Sequence, residues 1–93
     1  MQKRKLEYRR LERIIKGFSS HRRLEILELL KREPESSVED ISKKLSMGYK
    51  NTSDHIRRMA IANLIMKRND GPAVRHKLTP LGESILVFCR TLE

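Results

Sequence analysis

The 93-residue sequence has one cysteine, no tryptophan and no long apolar run. A lone thiol, Cys89, cannot close a disulfide within the chain, as is typical of proteins from the reducing cytoplasm. No stretch approaches the roughly 18 apolar residues that span a bilayer, and the N-terminus, Met-Gln-Lys-Arg-Lys, continues into further charges rather than the apolar core of a secretory signal. We therefore expect a cytoplasmic protein with no membrane partner.

Groups arranged for catalysis or metal binding are also scarce. The three histidines, His21, His55 and His76, lie in separate segments with no cysteine or carboxylate at ligand spacing. The sequence has no glycine-rich phosphate loop, no nucleophile motif and no paired acids. We expect no enzymatic activity, no cofactor and no metal site.

Aromatic residues make up only 4% of the sequence. The four are Tyr8, Phe18, Tyr49 and Phe88, and at least two of them are expected to be buried. Proteins that read single-stranded RNA stack bases on exposed aromatic rings. RNA is accordingly a weak candidate partner.

Positive charge is what the sequence has in excess. Lys and Arg total 21 against 12 acidic residues, which gives a net charge of +9 and a pI near 10.2. Residues 1–23 contain nine basic and two acidic residues, and residues 47–77 contain seven and two. Two basic blocks suit a polyanionic partner, although a charged run by itself is as often a solvated surface.

The chain length suits one domain, residues 1–93. Apolar spacing and capping residues predict a mainly α fold with about five helices, over residues 2–18, 21–32, 38–45, 49–63 and 80–92. Ser37 and Asp40 match a capping box, and Thr79-Pro80 combines an N-cap with proline at the first helical position.

Between the last two helices the pattern changes to that of strands. Residues 65–68 precede the turn-forming Asn69-Asp70-Gly71-Pro72, and Val74, His76 and Leu78 then alternate with Arg75 and Lys77. This predicts a two-stranded β-hairpin with one basic face.

The order of these elements indicates a function. A short helix, the three-residue turn 46–48 and a longer helix form a helix-turn-helix, in which the second helix enters the major groove of DNA. The second basic block falls on that helix and on the hairpin, or wing, that follows it. The predicted fold is a winged helix-turn-helix that binds double-stranded DNA.

Four segments, among them the wing at residues 64–78, resemble ArsR-type winged-helix regulators. The first is SSHRRLEILELL at residues 19–30, and VEDISKKL at 38–45 resembles the first helix of their helix-turn-helix. TSDHIRRM at 52–59 lies where the family's recognition helix reads Thr/Val-Ser-x-His-Leu, and LTPLGE at 78–83 is similar to the closing motif of MarR- and PadR-like proteins. The resemblance covers about residues 14–86 and implies a dimeric transcription regulator.

Two departures from the family pattern are informative. Many metal-sensing members have a Cys-x-Cys pair in the helix that corresponds to residues 41–45, and none is present here. Metal sensing through that position is therefore not expected. Ser46 stands where the family's turn often has glycine.

The helix at residues 49–63 is expected to lie in the major groove, and the wing at 65–78 on the backbone or minor groove. Side chains on the exposed first turns of this helix can reach the edges of the bases, while arginines further along the helix hold phosphate. The candidate DNA-binding residues are Tyr49, Lys50, Asn51, Ser53, Asp54, Arg57, Arg58, Lys67, Arg68, Arg75 and Lys77.

A homodimer is expected through the terminal helices, residues 1–18 and 80–92, because they carry more apolar positions than one small core covers. The candidate interface residues are Leu11, Ile15, Phe18, Leu81, Ile85, Phe88, Cys89 and Leu92. We interpret Cys89 as a small buried hydrophobe rather than one half of a disulfide across the dimer.

Some assignments stay open. The basic N-terminal residues either contact flanking phosphates or solubilise a helix that pairs with a partner, and we favour the second. Arg22 and Arg23 are open to either role. The main alternative function is a winged helix that docks on another protein without reading DNA. The sequence points to no small-molecule effector. It does not reveal the operator sequence or whether the protein represses or activates transcription.

Overall fold

The computed structural model describes residues 5–93 and confirms the winged helix-turn-helix. Five helices and one antiparallel hairpin follow in the order α1 Tyr8–Phe18, α2 His21–Arg32, α3 Val38–Lys44, α4 Tyr49–Ile61, β1 Ile65–Asp70, β2 Ala73–Leu78 and α5 Pro80–Thr91. One apolar core holds them together, with contributions from all elements except α1, which packs against it through the half-buried Ile14 and Phe18.

Helix α1 is shorter than predicted. The part of the predicted helix at residues 2–4 lies outside the described residues, but residues 5–7 are not helical, and Glu7 is the N-cap in an extended conformation. The cap makes no side-chain hydrogen bond, and no acidic residue in the first turn complements the helix dipole. Nothing in the local sequence therefore favours helix before Tyr8.

Helix α2 lies at the centre of the core, with the bounds that the sequence predicted. Ile26, Leu27, Leu29 and Leu30 are almost fully buried on it. The Ser20 hydroxyl accepts a hydrogen bond from the Arg23 amide at its start. Because Pro34 disfavours helical backbone at the preceding residue, the helix ends at Arg32.

The helix-turn-helix forms as the capping residues predict. The Ser37 hydroxyl accepts from the Asp40 amide, and the Asp40 carboxylate accepts from the Ser37 amide, each at 3.1 Å. Ser46 adopts a φ of 53°, the left-handed conformation that glycine would adopt more readily. The turn geometry is thus kept despite the departure from the family pattern.

Helix α4 ends two residues earlier than predicted, in a Schellman motif. The Asn63 amide donates to the Ala60 carbonyl and the Leu64 amide to the Met59 carbonyl. Asn63 has a φ of 63°, which asparagine tolerates better than most residues. The chain therefore reverses directly from α4 into β1.

The wing strands are longer than predicted. Asn69 and Asp70 belong to β1, so only Gly71 and Pro72 form the loop. Gly71 has a φ of 62°, and proline cannot have a positive φ, so the loop fits the type II′ turn that suits two-residue hairpins. A bridge between Ser36 and His76 ties the α2–α3 loop to β2.

Helix α5 packs on the core through a residue that the sequence analysis did not single out. Leu86 is 6% exposed, whereas Phe88 is 52% exposed and Val87 60%. The Thr79 hydroxyl accepts from the Gly82 amide at the predicted N-cap and donates to the Asn63 carbonyl at 2.6 Å. No helix within residues 5–93 is long and apolar enough to cross a membrane.

Candidate nucleic-acid interface

The outer face of α4 brings most of the predicted base-reading residues together. Thr52, Ile56 and Met59 are buried and fix which side of the helix faces the core. On the other side, one shallow depression is lined by Tyr49, Lys50, Asn51, Ser53, Asp54 and Arg57. The first five were predicted from sequence as base-reading residues, and Arg57 was predicted, with Arg58, to hold phosphate.

Asp54 organises this surface rather than standing free on it. Its two carboxylate oxygens accept from Arg57 at 2.6 Å and from Arg58 at 3.2 Å. The hydrogen bond from Arg57 is the main reason that the pKa of Asp54 lies below its usual value. Desolvation opposes it, and the hydrogen bond from Arg58 and the charges of both arginines lower the pKa further. Both guanidinium groups are thereby held beside the helix at neutral pH.

The inner flank of α4 is linked to the start of α2. The Nε of Arg23 donates to His55 Nδ1 at 3.0 Å, and its NH1 group donates to the Lys16 carbonyl at 2.6 Å. Desolvation, and then the neighbouring Arg23 charge, lower the pKa of His55. Arg23 therefore caps α1 and holds α4, and Arg22 donates to the Leu45 carbonyl at the end of α3.

The wing has the predicted basic face, but one of its four candidate DNA-binding residues, Lys67, does not lie on it. Arg68 lies opposite Arg75 and Met66 opposite Lys77, so these four share the outer face. Lys67 pairs with His76 and lies on the other face, because side chains alternate along a strand. His76 is buried, and that desolvation lowers the pKa of its imidazole although Nδ1 bonds to the Ser36 carbonyl at 2.9 Å.

Glu35 is the wing residue that sequence analysis missed. Its carboxylate accepts from Arg68 at 3.2 Å, its carbonyl accepts from Arg75, and its amide donates to the His76 carbonyl. It also has a φ of 67°, and its Oε2 is buried without a hydrogen-bond partner. The residue after Pro34 was a visible loop position, but no sequence signal tied it to a strand forty residues away.

The expectation that at least two aromatic rings are buried is wrong. Tyr8 is 74% exposed, Tyr49 62% and Phe88 52%, while Phe18 is only partly buried. Each of the first three has more than half of its surface exposed. Scarcity of aromatics remains the argument against base stacking.

The predicted dimer residues divide into two groups. Leu11, Ile15, Phe88 and Leu92 are exposed, whereas Phe18, Leu81 and Ile85 are partly buried against the core of their own chain and Cys89 is half-buried. Val87, which the periodicity did not single out, is also exposed, about 100° around α5 from Phe88.

The part of the chain from residue 5 onward contains no group of three or more His, Cys, Asp or Glu side chains placed to hold a metal ion.

Solved structures with the same fold come from transcription regulators. The homodimeric winged helix-turn-helix DNA-binding domain Mb0332 from Mycobacterium bovis, a possible ArsR-family regulator, is 21% identical, with 91% of this chain and 79% of that one covered at a TM-score of 0.83. HlyU from Vibrio cholerae is 22% identical, with coverage of 91% and 92% and a TM-score of 0.79.

AntR, an antimony-specific transcriptional repressor, is 21% identical, with 99% of this chain and 87% of AntR covered at a TM-score of 0.79. At these identities the three similarities establish the fold. Among proteins of curated function, none matches the chain. A family model described as HVO_A0114 matches residues 19–79, which is well over half of the sequence, and the chain therefore belongs to the HVO_A0114 family.

Proposed function

We propose that this protein is a dimeric transcription regulator that binds double-stranded DNA sequence-specifically. The observation that carries the proposal is the grouping of Tyr49, Lys50, Asn51, Ser53, Asp54 and Arg57 around one depression on the outer face of α4. Lysine and asparagine are side chains that pair with guanine and adenine edges in the major groove.

The wing supports the same proposal. Arg68, Arg75 and Lys77 lie on the outer face of the hairpin, where they would contact the DNA backbone or minor groove. Lys67, on the other face, would contact DNA only if the duplex passes along that side of the hairpin. Its assignment as a DNA-binding residue is therefore the least supported of the four.

Homodimer formation is part of the proposal. The exposed apolar residues of α1 and α5 that were predicted for the interface are Leu11, Ile15, Phe88 and Leu92. Pairing through these residues would remove them from water and present two copies of α4 to half-sites about one helical turn apart. Mb0332, which has the same fold, is a homodimer.

The experiment is a titration of mixed-sequence duplex DNA at several salt concentrations. We expect log K to fall steeply with log salt, because each phosphate contact releases about one counterion. Lys50→Ala should weaken binding and flatten that slope by about one unit. Arg32→Gln, which removes an exposed charge from the far end of α2, is the matched control.

Absence of DNA binding at low salt would contradict the proposal. The winged helix would then be better explained as a module that docks on another protein, and the outer face of the wing, with Met66 beside its cations, would be the surface to test. Equal losses for Lys50→Ala and Arg32→Gln would show general charge attraction without a defined DNA surface.

A further inference from the structure

A groove beside α1 has a shape and charge that the proposed function does not use, except for Arg58, which lies at its edge and is also a candidate DNA-binding residue. It lies between α1 and the C-terminal end of α4 and has a volume of about 480 Å³, within the size range of small-molecule sites. We call it the α1–α4 groove. It begins where Gly17 packs so closely on α4 that an added Cβ would come within 2.5 Å of Ala62 Cβ.

The rim of the groove is cationic. Five basic residues line it, and among the described residues no acidic side chain does: the five are Arg10, Arg13, Lys16, Arg23 and Arg58. Lys16 pairs with Glu12, Arg58 with Asp54, and Arg23 donates to His55. Within residues 5–93, Arg10 and Arg13 are in no ion pair.

Helix dipoles explain only part of this charge. Cations stabilise the C-terminal turns of helices, and Lys16 and Arg58 lie in the last turns of α1 and α4. Arg10 lies in the first turn of α1 and Arg13 at its midpoint, where a cation gains nothing from the dipole. Their positive charge at the groove therefore needs another explanation.

The floor of the groove is apolar. Ile14, Ala62 and Leu81 are partly buried there, and Ile61 is 75% exposed beside them. The deoxyribose carbons of a DNA backbone alternate with charged phosphates and offer little continuous apolar surface to such a floor, and an inorganic anion would leave it exposed to water. A cationic rim over an apolar floor suits a ligand with an anionic head and an apolar body.

The groove is distinct from the proposed dimer face. Successive residues turn about 100° around a helix, so Arg10, Ile14 and Gly17 share one side of α1. Leu11 and Ile15 lie on average about 100° away from that side. A partner that covers Leu11 and Ile15 can therefore leave the groove open.

We propose that the α1–α4 groove binds a small amphipathic organic anion, with its carboxylate or sulfonate between Arg10 and Arg13 and its apolar body against Ile61 and Ala62. No effector was expected from the sequence. Binding at the groove does not depend on DNA recognition. If the proposed function also holds, the ligand contacts the last turn of the DNA-reading helix and can act as its effector.

The test compares two fluorescent probes with the same aromatic skeleton, 8-anilinonaphthalene-1-sulfonate and the uncharged N-phenyl-1-naphthylamine. The double variant R10Q/R13Q should weaken sulfonate binding about tenfold or more, as expected for loss of charge-assisted hydrogen bonds, and change binding of the neutral probe little. The control R9Q/R32Q removes the same charge from exposed positions outside the groove.

Ile61→Glu provides a second test, because this exposed side chain can change without disturbing the core. The added carboxylate should abolish sulfonate binding. In the unaltered protein, the sulfonate should shift the amide resonances of Gly17, Ala62 and Asn63 in heteronuclear NMR spectra. The proposal is overturned by absent binding, by equal binding to parent and variants, or by shifts confined to α5 around Phe88.

Discussion

Ser46 shows how a single residue can keep a turn at a cost in stability. Its φ of 53° lies in the left-handed region, where a side chain is strained and glycine is not. The turn of ArsR-type regulators often has glycine at this position, and that difference was the signal in the sequence for an unusual backbone conformation.

We predict that Ser46→Gly raises the free energy of unfolding by about 0.5–1 kcal/mol, because the strain relieved exceeds the added flexibility of the unfolded chain. Urea denaturation measures the change. Ser84→Gly, in the middle of α5 with ordinary helical backbone, is the control and should lower stability. A loss of stability in both variants would contradict the prediction.

Asp54 places a negative charge on the surface proposed to meet DNA. Replacing it by asparagine removes the repulsion of phosphate and frees Arg57 and Arg58. Asp54→Asn should raise affinity for mixed-sequence duplex by about three- to tenfold at low salt and steepen the salt dependence by about one unit. Weaker binding of this variant would mean that the carboxylate contacts DNA directly, for example as an acceptor from cytosine.

Among the elements, those with strong local signals were predicted best. Helices α2 and α3 begin at the side-chain caps of Ser20 and Ser37, and the sequence placed both starts correctly. Helix α1, which lacks such a cap, was predicted too long. The wing strands continue beyond Arg68 because Asn69 and Asp70 pair with the opposite strand. The turn-forming residues alone did not predict where these strands end.

The packing of α1 on α4 depends on a close approach at Gly17. An added methyl group would collide with Ala62 and crowd Leu64 at 3.2 Å. We predict that Gly17→Ala lowers the free energy of unfolding by about 1–3 kcal/mol, although alanine favours helix more than glycine does.

A second substitution separates packing from helix propensity in that experiment. Ala62→Gly removes the methyl group that Gly17→Ala meets, so the double variant should recover part of the loss. Additive losses in thermal or urea unfolding would show that the two positions do not collide.

Across the whole molecule, the two buried or half-buried imidazoles predict how stability depends on pH. Desolvation lowers the pKa of both His55 and His76 in the folded protein. At a pH between the folded and unfolded pKa values, the unfolded chain binds more protons than the folded protein does. The stability present above about pH 6.5 is therefore lost as the pH falls towards the pKa values of the folded protein.

We therefore expect the urea midpoint to decrease from pH 7.5 to 5, a window above the usual titration range of carboxylates. His55→Gln and His76→Gln should each flatten this dependence, and the double variant should flatten it most. An unchanged pH profile in the double variant would assign the effect to other groups.

The proposed dimer makes a separate prediction for the molecule as a whole. Phe88→Glu puts a charge on the exposed apolar face of α5, where the side chain does not support the protomer core. The dimer dissociation constant should rise about tenfold or more, as sedimentation equilibrium would show. Met66→Glu, an exposed apolar residue on the wing, should leave the dimer intact, and equal effects would place the interface elsewhere.

The sequence predicted the fold and the surface on α4 because helical spacing alone groups Lys50, Asp54 and Arg57 on one side. It could not predict that Asp54 would hold two arginines, that Glu35 would reach the wing, or that the α1–α4 groove would form. Those features depend on side-chain rotamers and on contacts between residues far apart in the chain.

All four arginines proposed to face DNA are held by carboxylates: Arg57 and Arg58 by Asp54, Arg68 by Glu35 and Arg75 by Asp70. Ordering a long side chain on binding loses conformational entropy, and here much of that ordering precedes the encounter with DNA. Each arginine must exchange one anion for another, so it contributes little to net ion release. Lys50 and Lys77, which have no ion pair within residues 5–93, would then set most of the salt dependence, while the arginines set the geometry.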